Sequence, residues 1–240
     1  MKRVLIIILF VIAADQAIKF YIKTNFTYQE QVPMFSENAE WAYLHFTENN
    51  GMAFGMEFEG ENGKLFLSIF RILAVAAIAW YLLDLIKKQA HKGLIAAIGL
   101  VFAGALGNII DSCFYGFIFS ESSAWEVAKF LPPEGGYAGF LHGRVVDMFY
   151  FPIAEGHFPE WVPFWSGEPF TFFSPVFNLA DSSITVGVVM IILFQKKYFP
   201  KKEEDSATVN DSETKPEQNI SETILPPENP NSENLNPINE

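Results

Sequence analysis

The sequence predicts an α-helical integral membrane protein with four transmembrane helices, a small extracytoplasmic β-sheet and a long interfacial outer loop. Three observations predict it. Half of the 240 residues are hydrophobic, including 25 Phe. Four segments are apolar for about 20 residues each, the length a helix needs to cross about 30 Å of hydrocarbon. The Lys and Arg residues that border these segments fall on one side only. The same composition excludes other classes. A single Cys cannot build a disulfide framework, and four His without Cys pairs offer no zinc spacing. A pI of about 4.8 with no basic stripe argues against nucleic-acid binding.

The first span runs from about Val4 to Ile22. Met1-Lys2-Arg3 before an apolar core also fits a cleavable signal peptide. Three further spans, and the charged pair Asp15 and Lys19 inside the segment, favour an uncleaved helix. The first outer loop, about 23 to 64, contains the alternating stretch Trp41-Ala42-Tyr43-Leu44-His45-Phe46, which reads as strand bounded by Asn49-Asn50-Gly51. Spans two and three cover about 65–86 and 94–114, joined by a short link with Lys87, Lys88 and Lys92. The second outer loop, 119–175, holds 15 aromatics and seven Pro in 57 residues. Amphipathic rings at this density favour the headgroup region, and the prolines exclude one long helix. The fourth span covers about 175–195 and is followed by Lys196, Lys197, Lys201 and Lys202. Basic residues before span one, between spans two and three and after span four place those stretches, and both termini, in the cytoplasm.

Residues 201–240 are a different material. They contribute -7 of the net charge of -12, contain no aromatic residue and are rich in Glu, Asn, Pro and Ser. Such a segment cannot bury enough apolar surface to offset its ordering entropy, so an acidic disordered tail follows a membrane domain of residues 1–200. A docking role for the tail is the alternative reading.

Ionisable groups within spans are costly and mark candidate functional sites. Asp15 lies late in outward-running span one, Asp111 late in span three and Asp181 early in inward-running span four. All three therefore share the outer-leaflet depth. Asp147, among the apolar residues Val145, Val146, Met148 and Phe149, returns to the same surface from the outer loop. Asn108 precedes Asp111 by three residues and Asn178 precedes Asp181 by three, a spacing that puts each amide beside its carboxylate on one helix face. The amides either hold the acids in a catalytic rotamer or glue helices together.

Two facing carboxylates in a low-dielectric site share a proton, so one serves as base and the other as acid. That arrangement activates water against a peptide carbonyl without metal or covalent intermediate. Nucleophilic alternatives lack support: Cys113 has no adjacent His and reads as a small core residue, and no G-x-S-x-G occurs.

Five blocks, taken together, resemble the bacterial lipoprotein signal peptidase (signal peptidase II) family. They are Asp15-Gln16-Ala17-Ile18-Lys19, Asn49-Asn50-Gly51-Met52-Ala53-Phe54-Gly55, Gly107-Asn108-Ile109-Ile110-Asp111, Val145-Val146-Asp147-Met148 and Phe177-Asn178-Leu179-Ala180-Asp181-Ser182. The resemblance covers residues 1–199 and implies an intramembrane aspartyl endopeptidase of the bacterial inner membrane, with four helices and a small sheet cradle. It implies Asp147 and Asp181 as the catalytic pair, and Asn49, Gly51, Asn108, Asp111 and Asn178 as supporting or substrate-binding positions. Asp15 and Lys19 become a structural pair that neutralises itself in the membrane. The implied substrate is a prolipoprotein whose Cys carries a diacylglyceryl thioether, cut on the N-terminal side of that Cys. The implied partners are this substrate and membrane lipids, the implied cofactor and metal none, and the chain is read as a monomer.

Two departures stand out. Ser112 occupies the position where the family usually places Arg, and Arg144, three residues before Asp147, is the candidate replacement, its alternative being contact with lipid headgroups. The link from Asp111 to Asp147 is also long, and its insertion, about 115–142, suits an ordered turn or a mobile lid. The rival class is a small proton- or ion-coupled transporter, whose carboxylates belong at the midplane or spread through the membrane depth. A scaffold whose acids only join helices and a metal-dependent hydrolase are further alternatives.

Overall fold

The computed structural model describes residues 2–36, 41–50, 61–152, 154–157, 159–161, 163, 165–172 and 175–200. Gly51 and residues 52–55, Phe173 and the tail 201–240 lie outside the described residues. The compact unit is Met1–Lys201.

Among the described residues, three helices are long and apolar enough to cross a membrane: Lys2–Asn25 (α1), Gly63–Lys87 within Glu61–Lys87 (α2), and Lys92–Ile118. The third is composite. It comprises Lys92–Ile110 (α3), a π turn at Asp111–Tyr115 and a last helical turn, Gly116–Ile118 (α4). His91 caps it, its Nδ1 accepting from Gly93 N at 3.0 Å. α1 and α2 turn large apolar side chains outward, Leu5, Leu9 and Phe10 on α1 and Phe66, Phe70 and Trp80 on α2, as lipid contact requires.

The fourth apolar segment differs from the expectation of a span starting at Pro175. Val176–Phe177 (β6) is a strand, Asn178 is an N-cap, and the helix Leu179–Leu193 (α5) has 15 residues. That is about 22 Å of helix at 1.5 Å per residue. Phe194 ends it, and Gln195–Tyr198 (α6) adds one further turn. The start is set by a capping box: Asn178 accepts from Asp181 N while the Asp181 carboxylate accepts from Asn178 N, satisfying two donors that a helix N-terminus otherwise leaves unpaired.

α3 and α5 pack backbone to backbone. A Cβ on Gly104 would fall 2.2 Å from Ala180 O, so only glycine permits this approach. Small residues allow membrane helices to gain close van der Waals contact where no hydrophobic drive between them exists.

Above the helices lies an antiparallel sheet in the order β1-β2-β3-β6, built from Gln31–Pro33 (β1), Tyr43–Asn49 (β2), Val145–Tyr150 (β3) and β6. A separate hairpin pairs Ala154–His157 (β4) with Pro169–Phe172 (β5). Among the described residues, the second outer loop thus contains three strands, β3, β4 and β5, that its aromatic and proline content concealed. Between Leu44 and Thr47 the β2–β3 register shifts, and Thr47 then faces Asp147. Such a bulge re-aims side chains beside it. Val146 and Met148 enter a core with Ile22, Phe26, Phe46, Tyr115 and Phe119, which joins the end of α1, the sheet and the end of the third helix.

The segment 119–144 is an ordered strap. The carbonyls of Ser112, Cys113, Gly116 and Phe119 accept from Gly143, Leu141, Ala138 and Tyr137 at 2.9, 3.3, 2.9 and 3.0 Å. The strap therefore supplies donors for carbonyls that a helix end leaves without partners. Gly143 passes so close that a Cβ there would lie 2.0 Å from Asp111 O. These bonds fit the ordered-turn reading of the insertion.

Candidate active site

Four acids and two amides meet where α1, α3, β3 and α5 converge. Lys19 on α1 is fully buried, and its ammonium contacts Asp15 Oδ2 at 2.9 Å, Asp111 Oδ2 at 2.8 Å and Asn108 Oδ1 at 2.8 Å. Asp15 and Lys19 do pair within α1, one helical turn apart, but the lysine also ties that helix to α3. Asp15 Oδ1 accepts from Ala180 N at 2.9 Å, so a single carboxylate joins α1 to the first turn of α5. Gln16 adds a second link, donating to Asp111 Oδ1 at 2.8 Å.

Asp111 reaches the sheet by accepting from Val146 N at 3.3 Å. This bond positions β3 beside the π turn that begins at Asp111. A π turn re-aims side chains at its start, and such turns recur at functional sites.

The expected pairing of each Asn with the Asp three residues later is crossed in the structure. Asn108 Nδ2 donates to Asp181 Oδ1 at 2.8 Å, across from α3 to α5, and not to Asp111. Asn178 Nδ2 donates to Asp147 Oδ1 at 2.6 Å. The two amides are themselves linked, Asn178 Nδ2 to Asn108 Oδ1 at 3.1 Å. Asp147, Asn178, Asn108 and Asp181 thus form one hydrogen-bonded chain. The reason lies in the elements: Asn178 is an N-cap whose Oδ1 accepts from Asp181 N, which leaves its Nδ2 to reach Asp147 and Asn108, and Asn108 reaches across to Asp181 on α5. Asn49, opposite Val145 on β2 and so diagonal to Asp147, also donates to the Asp147 carboxylate.

Asp147 is 3 % exposed. Burial, followed by the negative charge of Asp181, pushes its carboxyl from 3.8 to about 7, against the opposing pull of Lys19, Asn178 and Asn49. A carboxyl that holds its proton near neutrality beside a second carboxylate has the composition of an acid–base pair. Among the described residues no group of three or more His, Cys, Asp or Glu could hold a metal ion.

Arg144 does not point at this pair. Its guanidinium meets Glu48 and Glu121 at 3.2 Å each and lies 5.1 Å from the Tyr137 ring centroid. Glu48 also pairs with buried Lys23, which donates to Ser122 at 2.9 Å. Arg144 therefore belongs to an ion network that fastens the strap to α1 and β2. Besides Lys19, a cation within electrostatic reach of the acids is Arg71 of α2, which interacts with Asp181, Asp147 and Asp111. The sequence reading passed over it. An Arg inside an apolar span was the available signal.

Residues 7–196 match the family model for signal peptidase (SPase) II. A lipoprotein signal peptidase of Porphyromonas gingivalis is 46% identical over 193 residues, covering 80% of this chain and 82% of the relative. One from Amoebophilus asiaticus is 34% identical over 210 residues, covering 86% and 84%. A solved structure described as a bacterial membrane enzyme, 26% identical, superposes with a TM-score of 0.54 over 85% of this chain and 94% of that one. A helical membrane protein with a small sheet, whose polar chain joins Asp147 to Asp181 and whose sequence matches over nearly the whole described length, belongs to the signal peptidase II family.

Proposed function

We propose that the protein removes signal peptides from diacylglyceryl-modified prolipoproteins, cleaving on the N-terminal side of the lipidated Cys by aspartyl catalysis at Asp147 and Asp181. The observation that carries this reading is the hydrogen-bonded chain Asp147–Asn178–Asn108–Asp181, which holds two acids in fixed rotamers with Asp147 pushed up to about 7. Asp147 carries the shared proton of the free site. Asp181 takes a proton from water as it attacks the scissile carbonyl, while Asp147 donates to the carbonyl oxygen and the pair later protonates the leaving amine. Asn108 and Asn178 keep the acids aligned, a positioning that enzymes use to convert a bimolecular step into a near-unimolecular one.

The bias of basic residues supports cytoplasmic termini and a site at the outer leaflet of the membrane. At that depth the substrate's acyl chains hold the scissile bond at the bilayer surface before any specific contact forms. Asp15, Lys19 and Asp111 serve as the scaffold that fixes β3 and α5 against each other. Convergence of the acids at one level of the bundle favours this reading over an ion-coupled transporter.

The test is cleavage of a diacylglyceryl-modified prolipoprotein by purified protein in detergent, with folded Asp147→Asn and Asp181→Asn beside wild type. Loss of at least a thousandfold in both variants is expected. Near-normal cleavage by either one removes that residue from the pair.

A further inference from the structure

The inward face of α2 is a stripe at helical spacing: Ser68, Arg71, Val75, Leu82 and Leu85, with Ser68, Val75, Leu82 and Leu85 buried and Arg71 half-buried. The neighbours on the other faces, Ile69, Phe70, Ile72 and Leu73, are exposed apolar side chains suited to lipid. The two ends of the stripe fix the height of Arg71. One turn before it, Ser68 Oγ donates to Leu141 O of the strap at 2.8 Å. One turn after it, Val75 packs with Ile109 and Cys113, which flank Asp111 in the third helix. Arg71 therefore stands level with Asp111, within electrostatic reach of Asp111, Asp147 and Asp181.

The charge balance gives this position a purpose. Asp15 and Lys19 from α1, Asp111 from the third helix, Asp147 from β3 and Asp181 from α5 face one another, with the amides of Gln16, Asn49, Asn108 and Asn178 among them. Lys19 makes its direct ion pairs with Asp15 and Asp111 and reaches Asp147 only through its field. Four acids beside a single lysine would favour protonation of both members of the catalytic pair, which leaves no base. A second cation, on α2, corrects the imbalance. Arginine suits that place because it stays charged when partly desolvated.

We infer that Arg71 is a positioning residue of the active site, whose guanidinium sets the charge balance of the Asp147/Asp181 pair so that it keeps one proton, not two, at neutral pH. The inference rests on the aspartyl reading above and adds its electrostatic control. Removing the cation raises the affinity of both carboxylates for protons. The acidic and alkaline limbs of the kcat/KM profile then move upward together, because that profile reports the free enzyme's acid and base. Loss of a nearby unit charge at an effective dielectric near 20 corresponds to about one to two pH units.

The experiment is the pH dependence of prolipoprotein cleavage for wild type, Arg71→Gln, Arg71→Met and Arg71→Lys in the full chain. An upward shift of both limbs by about one unit or more in a neutral variant, with the Lys variant within a few tenths of wild type, supports the inference. Limbs that stay in place in a folded neutral variant overturn it, whatever happens to the maximal rate. Failure of both neutral variants to fold assigns Arg71 to holding the bundle and also overturns it. Asp147→Asn and Asp181→Asn run in parallel separate this outcome from failure of the aspartyl reading: if those variants stay active, the pair itself is wrong.

Discussion

Replacing Asp147 by Asn should abolish cleavage and, above neutral pH, make the protein more stable. In the folded state burial, then the charge of Asp181, holds the carboxyl at about 7, compared with 3.8 for an ordinary Asp. The unfolded chain loses that proton at about pH 4. Between these values the folded state binds the proton more tightly, so stability from this group falls as pH rises from about 4 to 7 and is flat above. Three units at 1.36 kcal/mol each give about 4 kcal/mol. Asn has nearly the same shape, its amide oxygen can still accept from Asn178, and it never ionises, so the variant escapes this penalty. Imperfect amide hydrogen bonding will return part of the gain, leaving about 1–4 kcal/mol at pH 8, a rise in Tm on the order of 2–16 °C for a domain of this size. The assay is thermal unfolding of wild type and Asp147→Asn in the same detergent at pH 4.5 and pH 8, with cleavage measured in parallel. The variant's advantage should appear at pH 8 and shrink at pH 4.5, where wild-type Asp147 is protonated. A Tm difference independent of pH, or a variant less stable at pH 8, would refute the account of Asp147 as a buried acid strained by Asp181.

Lys19→Met should destabilise the fold by about 3–5 kcal/mol, since it strands two buried carboxylates, and adding Asp111→Asn should recover part of the loss in a double-mutant cycle. Strictly additive losses would mean that the pair is not coupled. Asn108→Ala removes the donor to Asp181 and the link to Asn178, and should cost ten- to a thousandfold in kcat with a smaller change in KM; an effect confined to KM would contradict a positioning role. Gly104→Val should abolish folding or activity because the added atoms meet Ala180 O, and normal expression with normal cleavage would show that the α3–α5 seam opens freely. Deleting residues 203–240 should leave cleavage within twofold of wild type, and a large loss in the truncated enzyme would assign the tail a role.

Hydropathy alone determined that the chain is a bundle of apolar helices, because crossing hydrocarbon imposes a length and composition that need no partner to be recognised. The cost of burying charge likewise made Asp15, Asp111 and Asp181 stand out, and short motifs added Asp147, Asn108 and Asn178. Tertiary structure decided how these residues connect. Spacing by three along a helix suggested local Asn–Asp pairs, but the glycine-lined contact of α3 with α5 brings Asn108 within reach of Asp181, and the N-cap geometry turns Asn178 to Asp147. The start of α5 was displaced to Leu179 because Val176 and Phe177 find strand partners in β3, a pairing with residues nearly 30 positions away. Arg144 and Arg71 exchanged meaning for the same reason. Nearness in sequence put Arg144 beside Asp147, yet alternating strand geometry and Glu48 draw its side chain elsewhere, whereas the helical stripe of α2 carries Arg71 to acids that lie 40 to 110 residues further along the chain. Local chemistry marks which groups are expensive to bury; only the packed bundle determines which other group makes each burial affordable.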